Sequence, residues 1–311
     1  VAGMNIIGRI RGMAKGRADV LSSVWNHPLN RGSKIRAIGD YALWNAVKYT
    51  MQARHVVQLT ENLDIILGRR ENYASVVYAH VLADYQEMMF LAHLLRPDDL
   101  FIDVGANVGL YSVWVAGVTG ARAIAFEPVP ATHAALVQNI RLNALDGRIT
   151  VHRMAAGETA GAVAMTVGLG GRDHVLTGRR ETGETSQVAV DRIDRICEGC
   201  RPTAMKVDVE GFEMHALRGT AGILDDDSLK AIVIEMQDWT LNKFGASEEE
   251  VGGFLTSFGF APYRYDPETR DLVPSTGTSA INEIFVRAPD QVTALLRSGP
   301  PVRFAGRPGG V

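Results

Sequence analysis

The spacing of apolar positions changes near residue 98. Before it, intervals of three and four dominate: Ile35, Ile38, Leu43, Trp44 and Val47 form a broad stripe that predicts an amphipathic helix. Val56-Val57-Gln58-Leu59-Thr60 and Leu63-Asp64-Ile65-Ile66-Leu67 flank Glu61-Asn62, which predicts a hairpin with a tight turn. Helical spacing returns from about Ala83 to Leu95 and stops at Arg96-Pro97. Beyond Asp98 the apolar runs are short and continuous: Leu100-Phe101-Ile102, Ala123-Ile124-Ala125-Phe126, Ile149-Thr150-Val151, the stretch 203–209, and Ala231-Ile232-Val233-Ile234. Runs of that kind suit strands buried on both faces. Helical patterns over 110–118 and 130–145 separate the first three, so strand, crossover helix and strand repeat. That predicts an α/β fold with a doubly wound sheet. The runs near 260–265 and 281–286 lack a helix pattern between them and are expected to pair antiparallel. Three zones result: a mainly helical N-terminal segment with a short hairpin at 4–97, an α/β domain at 98–290, and a Pro- and Gly-rich tail at 291–311, expected to be flexible.

Composition narrows the picture by exclusion. With 46% hydrophobic and 22% charged residues, the chain has the balance of a globular protein, not a disordered one. It has no apolar run of about 18 residues, so no transmembrane helix is predicted. No signal-peptide pattern occurs at the N-terminus, and the expected location is cytoplasmic. Val1-Ala2-Gly3 ahead of Met4 is expected to be an added leader. Cys197 and Cys200 are the only cysteines; a lone Cys-x-x-Cys predicts two reduced thiols, not a zinc site or a disulfide framework. The net charge of −3 hides an asymmetry, since nine Lys/Arg stand against Asp19 and Asp40 through residue 55. Such a basic arm would suit an anionic membrane surface, a phosphorylated substrate or a partner subunit, and equally a solvated helix face.

Candidate chemistry starts at the first strand-to-helix turn, Asp103-Val104-Gly105-Ala106-Asn107-Val108-Gly109. In a doubly wound sheet, ligands bind outside the carboxyl ends of the strands, where strand order reverses. Gly105 permits a tight turn with no Cβ facing a ligand, and Gly109 lets the next helix pack closely. Glu127 ends the second strand, where a carboxylate can accept hydrogen bonds from ribose hydroxyls. Two details separate this turn from a dinucleotide site. Asn107 stands where the dinucleotide fingerprint has its middle glycine, and Asp103 would repel a pyrophosphate. S-adenosylmethionine has no phosphate, and its sulfonium and α-ammonium are attracted by a carboxylate. The turn therefore favours that cofactor over NAD, and with it a methyltransferase over a nicotinamide-dependent oxidoreductase.

Phe101-Ile102-Asp103-Val104-Gly105-Ala106-Asn107-Val108-Gly109-Leu110-Tyr111-Ser112, Phe126-Glu127-Pro128, and Met205-Lys206-Val207-Asp208-Val209-Glu210-Gly211-Phe212-Glu213 closely resemble the FkbM family of methyltransferases. Val190-Asp191-Arg192-Ile193-Asp194 and Ile232-Val233-Ile234-Glu235 resemble the same family's intervening pattern. The resemblance spans roughly residues 96 to 287 and is much weaker before residue 83. It implies a class I methyltransferase (Rossmann-like) sheet of seven strands in the order 3-2-1-4-5-7-6, which makes 98–290 the S-adenosylmethionine-binding catalytic domain. It also implies O-methylation of a hydroxyl on a sugar, a glycolipid or a macrolide-type natural product. The expected cofactor contacts are Asp103, Gly105, Ala106, Asn107, Gly109, Tyr111, Glu127, Pro128, Ala155 and Asp208. Ala155 and Ala156 would make room for the adenine ring. By analogy of fold, the N-terminal segment would cover the cleft or build a dimer interface.

A sugar hydroxyl is a poor nucleophile, so a general base or a metal ion is expected to activate it. Lys206, Asp208 and Glu210 alternate along the predicted fourth strand and would project to one side at its carboxyl end. Charges on such a strand are costly unless paired or functional. Asp208 and Glu210 are therefore read as catalytic; Lys206 is either catalytic or a bracing ion-pair partner. Glu235 closes the fifth strand, and with Asp208 it would offer oxygen ligands suited to Mg²⁺; the competing reading has these carboxylates binding substrate hydroxyls directly. His174, in a glycine-rich stretch, and His215, in the helix after Glu210, are the candidate bases, whereas His133 and His152 read as surface or packing residues. Asn139 is either a polar neighbour of the pocket or a solvated helix residue. The expected partner is a small-molecule or glycan hydroxyl acceptor. Nucleic acid is not expected, because the fourth strand reads Val207-Asp208-Val209-Glu210 in place of an Asn/Asp-Pro-Pro-aromatic motif. A macrolide or polyketide hydroxyl acceptor and a non-catalytic methyltransferase-like binding module are the alternatives.

Overall fold

The continuous apolar runs become the centre of one mixed sheet. The computed structural model describes residues 20–47, 54–68, 77, 82–169, 173–176, 184–275 and 281–305. Helix α1 (Lys34–Val47) precedes the hairpin β1 (His55–Thr60) and β2 (Leu63–Leu67). Then come α2 (Tyr85–Leu94), β3 (Leu100–Val104), α3 (Leu110–Thr119), β4 (Arg122–Phe126), α4 (Pro130–Leu142) and β5 (Ile149–His152). A small inserted sheet is built from β6 (Ala155–Ala156), β7 (Gly161–Val167) and β8 (Glu184–Asp191). It is followed by α5 (Ile193–Ile196), β9 (Ala204–Val207), α6 (Glu213–Arg218), α7 (Ala221–Asp225) and β10 (Ala231–Glu235). The last elements are α8 (Asp238–Leu241), α9 (Glu248–Ser257), β11 (Ala261–Asp266), β12 (Asp271–Pro274), β13 (Asn282–Val286) and α10 (Pro289–Arg297).

The main sheet runs β12-β11-β13-β10-β9-β3-β4-β5. Strands β10, β9, β3, β4 and β5 are parallel, while β13 lies antiparallel to both β10 and β11. The sheet has eight strands where the resemblance implied seven, because Asp271–Pro274 folds back on β11 as an antiparallel edge strand. Its apolar pattern, two residues between Asp271 and Pro274, is too short to read as a strand by periodicity. All five residues of β3 are buried, as a central strand covered on both faces requires.

Several boundaries differ from expectation. Helix α2 belongs to the main core and not to a separate N-terminal segment: Met88 through Leu94 are buried, and the Trp114 indole N–H donates to the Met88 carbonyl at 2.7 Å. The tail expected to be flexible is packed as far as it is described. Val292 and Leu296 of α10 are buried, and so are Val302 and Phe304, the latter stacked on Trp114 with ring centres 5.9 Å apart; residues 306–311 lie outside the described part. The apolar stripe of α1 buries Trp44 but leaves Ile35 and Leu43 exposed. Of the basic arm, Arg9, Arg11, Lys15, Arg17 and Lys48 lie outside the described residues, while Arg31 pairs with Glu268 and Arg36 with Asp40. Cys197 is buried, Cys200 half-buried, and both are free thiols. No helix among the described residues is long and apolar enough to cross a membrane.

Asn139 is neither a pocket residue nor solvated. It is fully buried in α4: its Oδ1 accepts the Ile66 N–H at 2.7 Å and its Nδ2 donates to the Val108 carbonyl at 2.8 Å. Asn143, one turn on, exchanges the same kind of pair with Asp64, at 2.8 and 2.7 Å. Two asparagine side chains thus satisfy the outer edge of β2 as a neighbouring strand would, and anchor the hairpin to the domain.

Candidate functional site

Strand order reverses between β3 and β9, and a cavity of about 380 Å³ opens at their carboxyl ends. That volume falls within the ~300–1,000 Å³ range of small-molecule sites. Its floor is the turn after β3. The N–H groups of Gly105 and Ala106 both donate to the Phe126 carbonyl, at 3.0 and 2.9 Å, and the Asn107 N–H donates to Glu127 Oε2 at 2.9 Å. Gly105 has φ +82°, and a Cβ there would lie 1.8 Å from the Asp208 carbonyl oxygen. The glycine is thus required both by the tight turn and by the approach of the neighbouring strand's end, and it lines the cavity. Gly109, at φ +88°, is packed against Leu136 of α4 and does not line the cavity.

Glu127 is buried at the end of β4. Its Oε1 accepts from the Val129 N–H and the Thr132 hydroxyl, each at 2.9 Å. Burial pushes its carboxyl up to about 7 in spite of these donors. Asp103 is 1% exposed; its Oδ2 accepts from the Ser112 hydroxyl at 2.5 Å, while Oδ1 is buried with no hydrogen-bond partner. Burial raises its pKa, opposed by the nearby Lys206 ammonium. Asn107 Oδ1 is a second buried acceptor without a partner. Ala106, Tyr111, Pro128, Ala155 and Ala156 also line the cavity.

The opposite wall comes from the ends of β9 and β10. Lys206 pairs in register with Asp103 across the β3–β9 ladder, and its Nζ lies 2.7 Å from Asp208 Oδ2 and 4.7 Å from the centre of the Tyr111 ring. Burial works against this ammonium, but Asp208 and Asp103 outweigh it and its pKa is raised. The alternation expected for Lys206, Asp208 and Glu210 does not extend that far, because β9 ends at Val207. Glu210 reaches the cavity from a turn, with a left-handed φ of +56° that is costly for a residue with a Cβ. Glu213 clamps that turn by accepting the N–H groups of Val209 and Gly211 at 3.0 and 3.1 Å. Glu235 Oε1 accepts from Gln237 Nε2 at 2.7 Å, while its Oε2 is buried without a partner. Burial, then the charges of Asp208 and Glu210, push Glu235 up to about 9. Asp208, Glu210 and Glu235 each present one oxygen within 4.8 Å of the others.

Neither histidine proposed as a base lines the cavity. His215 Nδ1 lies 2.7 Å from Glu158 Oε1 and its ring stacks on Phe212, with ring centres 4.3 Å apart. The main chain of His174 bonds to Thr166; its neighbours Asp173 and Val175 face the cavity and it does not. Asp84, Gln237 and Asn282 line the site but are absent from the sequence-based set. Asp84 precedes α2 and reads as an N-cap, yet its side chain makes no capping bond and accepts the Tyr111 hydroxyl at 2.8 Å. Burial raises its pKa. The described lining holds seven carboxylates (Asp84, Asp103, Glu127, Asp173, Asp208, Glu210 and Glu235) and one cationic side chain, Lys206.

A family model described as "Methyltransferase FkbM domain" matches residues 103–262. The chain is 28% identical over 142 residues to "Hexuronic acid methyltransferase AglP" of Haloferax volcanii, a match covering 45% of this chain and 56% of the relative. It is 28% identical over 203 residues to "31-O-demethyl-FK506 methyltransferase FkbM" of Streptomyces tacrolimicus, covering 53% and 75%. A solved structure of methyltransferase FkbM from Methylobacillus flagellatus aligns with 80% of this chain and 60% of its own, at 18% identity and a TM-score of 0.44. The chain spans 66% and 56% of the length of the first two curated relatives it matches.

Proposed function

The chain belongs to the FkbM methyltransferase family, and from that membership we propose that it methylates a hydroxyl oxygen of a sugar, glycolipid or glycosylated metabolite, using S-adenosylmethionine. The observation that carries this reading is the meeting, in one cavity, of unpartnered oxygen acceptors at the glycine turn with a lysine-held carboxylate at the next strand end. The relative named for a hexuronic acid supports a sugar acceptor, and the one named for a 31-O-demethyl substrate supports transfer to oxygen. A macrolide or polyketide hydroxyl is the alternative acceptor.

The donor set fits the cofactor. Asp103 Oδ1 and Asn107 Oδ1, buried and unpartnered, would accept from its α-ammonium. Glu127 uses three of about four lone-pair positions and keeps one for a ribose hydroxyl. The small side chains of Ala155 and Ala156 leave room for the adenine. When bound, S-adenosylmethionine supplies a methyl group on a positive sulfur, which keeps the C–S electron pair as the acceptor oxygen takes the methyl. The chain's part is to hold that oxygen in line, exclude water and receive its proton. Asp208 is the proposed base: Lys206 holds Oδ2, which leaves Oδ1 to accept the hydroxyl proton. Glu235 orients the hydroxyl beside it.

The reading is tested with Asp208→Asn. Turnover is expected to fall by at least about 100-fold, the usual worth of a positioned base, with S-adenosylhomocysteine affinity little changed. Full turnover in this variant would remove Asp208 as the base. A thermal shift with S-adenosylhomocysteine but not with NAD is expected for the unaltered protein; a response to neither favours the non-catalytic binding module. A second reading rests on the 4.8 Å carboxylate cluster, an all-oxygen donor set that suits Mg²⁺. Asp208, Glu210 and Glu235 would then hold the ion and the acceptor oxygen together, and turnover that survives chelation sinks it.

A further inference from the structure

Two large exposed apolar side chains lie beside the cavity. Ile281, just ahead of β13, is 61% exposed and lines the opening; Trp239, in the first turn of α8, is 60% exposed and is hydrogen-bonded to Gln237, which lines it. A single exposed apolar residue is ordinary, but two beside one cavity suit a contact surface. The tryptophan is also held in place. Its indole N–H donates to Gln237 Oε1 at 2.6 Å, and Gln237 Nε2 in turn donates to Glu235 Oε1 at 2.7 Å. Two hydrogen bonds therefore tie the ring to a carboxylate of the proposed reaction centre. The short helix that carries Trp239 is pinned as well: the Asp238 N–H donates to Glu248 Oε1 at 3.1 Å, and the Glu248 N–H to Asp238 Oδ1 at 2.9 Å. The Met236 N–H donates to the Ile281 carbonyl at 2.9 Å, which sets Ile281 beside the chain leaving β10.

Charge restricts what this mouth can admit. Lys206 is the one cation of the described lining, against seven carboxylates, and it is already paired with Asp208. An anionic group carried to the reaction centre would find no unpaired cation in the described lining and would meet the charges of Asp208 and Glu210. A polyhydroxylated ring meets no such penalty: its hydroxyls donate to carboxylates, and its C–H face, slightly positive, suits an indole π face. That face already attracts the Lys243 ammonium, 4.5 Å from the ring centre.

We propose that Trp239, Ile281 and the Gln237–Glu235 pair form the acceptor subsite, and that it selects sugar rings that are uncharged or carry an amine over those that carry a carboxylate. Trp239 acts as the stacking platform, and Gln237 couples its orientation to Glu235. The inference rests on the methyl-transfer reading only in assigning this end of the cavity to the acceptor.

The test uses the full chain saturated with S-adenosylhomocysteine and saturation-transfer NMR with three probes: methyl glucoside, methyl glucosaminide and methyl glucuronide. The first two are expected to bind and the glucuronide to bind about tenfold more weakly. Trp239→Ala is expected to abolish transfer to all three, Trp239→Phe to retain part of it, and both variants to bind S-adenosylhomocysteine as the unaltered protein does. Glucuronide binding as strong as glucoside binding overturns the charge selectivity, and would point to Lys243 as its partner. Undiminished binding in Trp239→Ala, or no transfer to any glycoside, overturns the subsite. Should S-adenosylhomocysteine itself fail to bind, the methyl-transfer reading fails separately, and the same glycoside comparison on the chain alone still decides the subsite.

Discussion

Glu127 accepts the Asn107 and Val129 N–H groups and the Thr132 hydroxyl, and its carboxyl is nevertheless pushed up to about 7 by burial. A ribose hydroxyl would donate to the charged form, so binding favours deprotonation and releases a proton. Affinity for S-adenosylhomocysteine is therefore expected to rise as pH passes upward through about 7, and Glu127→Gln to weaken binding and flatten that profile. Calorimetry at pH 6 and pH 8 decides it; an unchanged profile in the variant takes Glu127 out of the cofactor site. Residues such as Asp103, Glu127 and Glu235 were legible in the sequence because each ends an apolar run, and strand ends are where this architecture exposes side chains to a ligand. Asp84 was not, since an aspartate ahead of a helix reads as its cap. Only the fold shows that its carboxylate turns to Tyr111 instead. The histidines were the opposite error: residue type suggested a base, but His215 is directed to Glu158, outside the cavity.

Elements of this chain are joined by polar contacts that periodicity does not register. The hairpin β1–β2 was legible as two alternating runs about Glu61-Asn62, but not its attachment to α4 through Asn139 and Asn143. Asn139→Ala would strip partners from the buried Ile66 N–H and Val108 carbonyl, at a cost of about 2–3 kcal/mol. Denaturant unfolding is expected to show that loss, with faster hydrogen exchange at residues 63–67 and intact S-adenosylhomocysteine binding. Normal stability and exchange would mean that the hairpin is held by its apolar face alone. The edge strand β12 and the packing of α10 escaped for a related reason: each is short, and each owes its burial to a surface that the rest of the chain supplies.

Over the whole molecule, buried carboxylates set the response to pH. Glu87, Glu127 and Glu213 are each pushed up to about 7 from 4.5, and Glu235 to about 9, in every case first by burial. A raised folded-state pKa means that the native state binds the proton more tightly than the unfolded chain does. The stability it contributes is fully present below about 4.5 and is lost as pH rises through 7, or through 9 for Glu235. The ligand-free protein is thus expected to melt several degrees lower at pH 8 than at pH 5.5, each rise from 4.5 to about 7 being worth at most on the order of 3 kcal/mol. Glu213→Gln keeps the acceptor for the Val209 and Gly211 N–H groups without the charge, and is expected to shrink that difference. A melting temperature that climbs over this interval would contradict the burial of these groups. By itself, the sequence determined the parallel strands, the glycine turn between Asp103 and Gly109, the carboxylates at the strand ends and the family, because these depend on local periodicity and on motifs read along the chain. The tertiary structure alone decided which of those groups meet: Lys206 with Asp208 and Asp103, Tyr111 with Asp84, Glu235 with Gln237 and Trp239. Such meetings depend on strand order and on collective burial, which bring together residues that spacing along the chain leaves far apart.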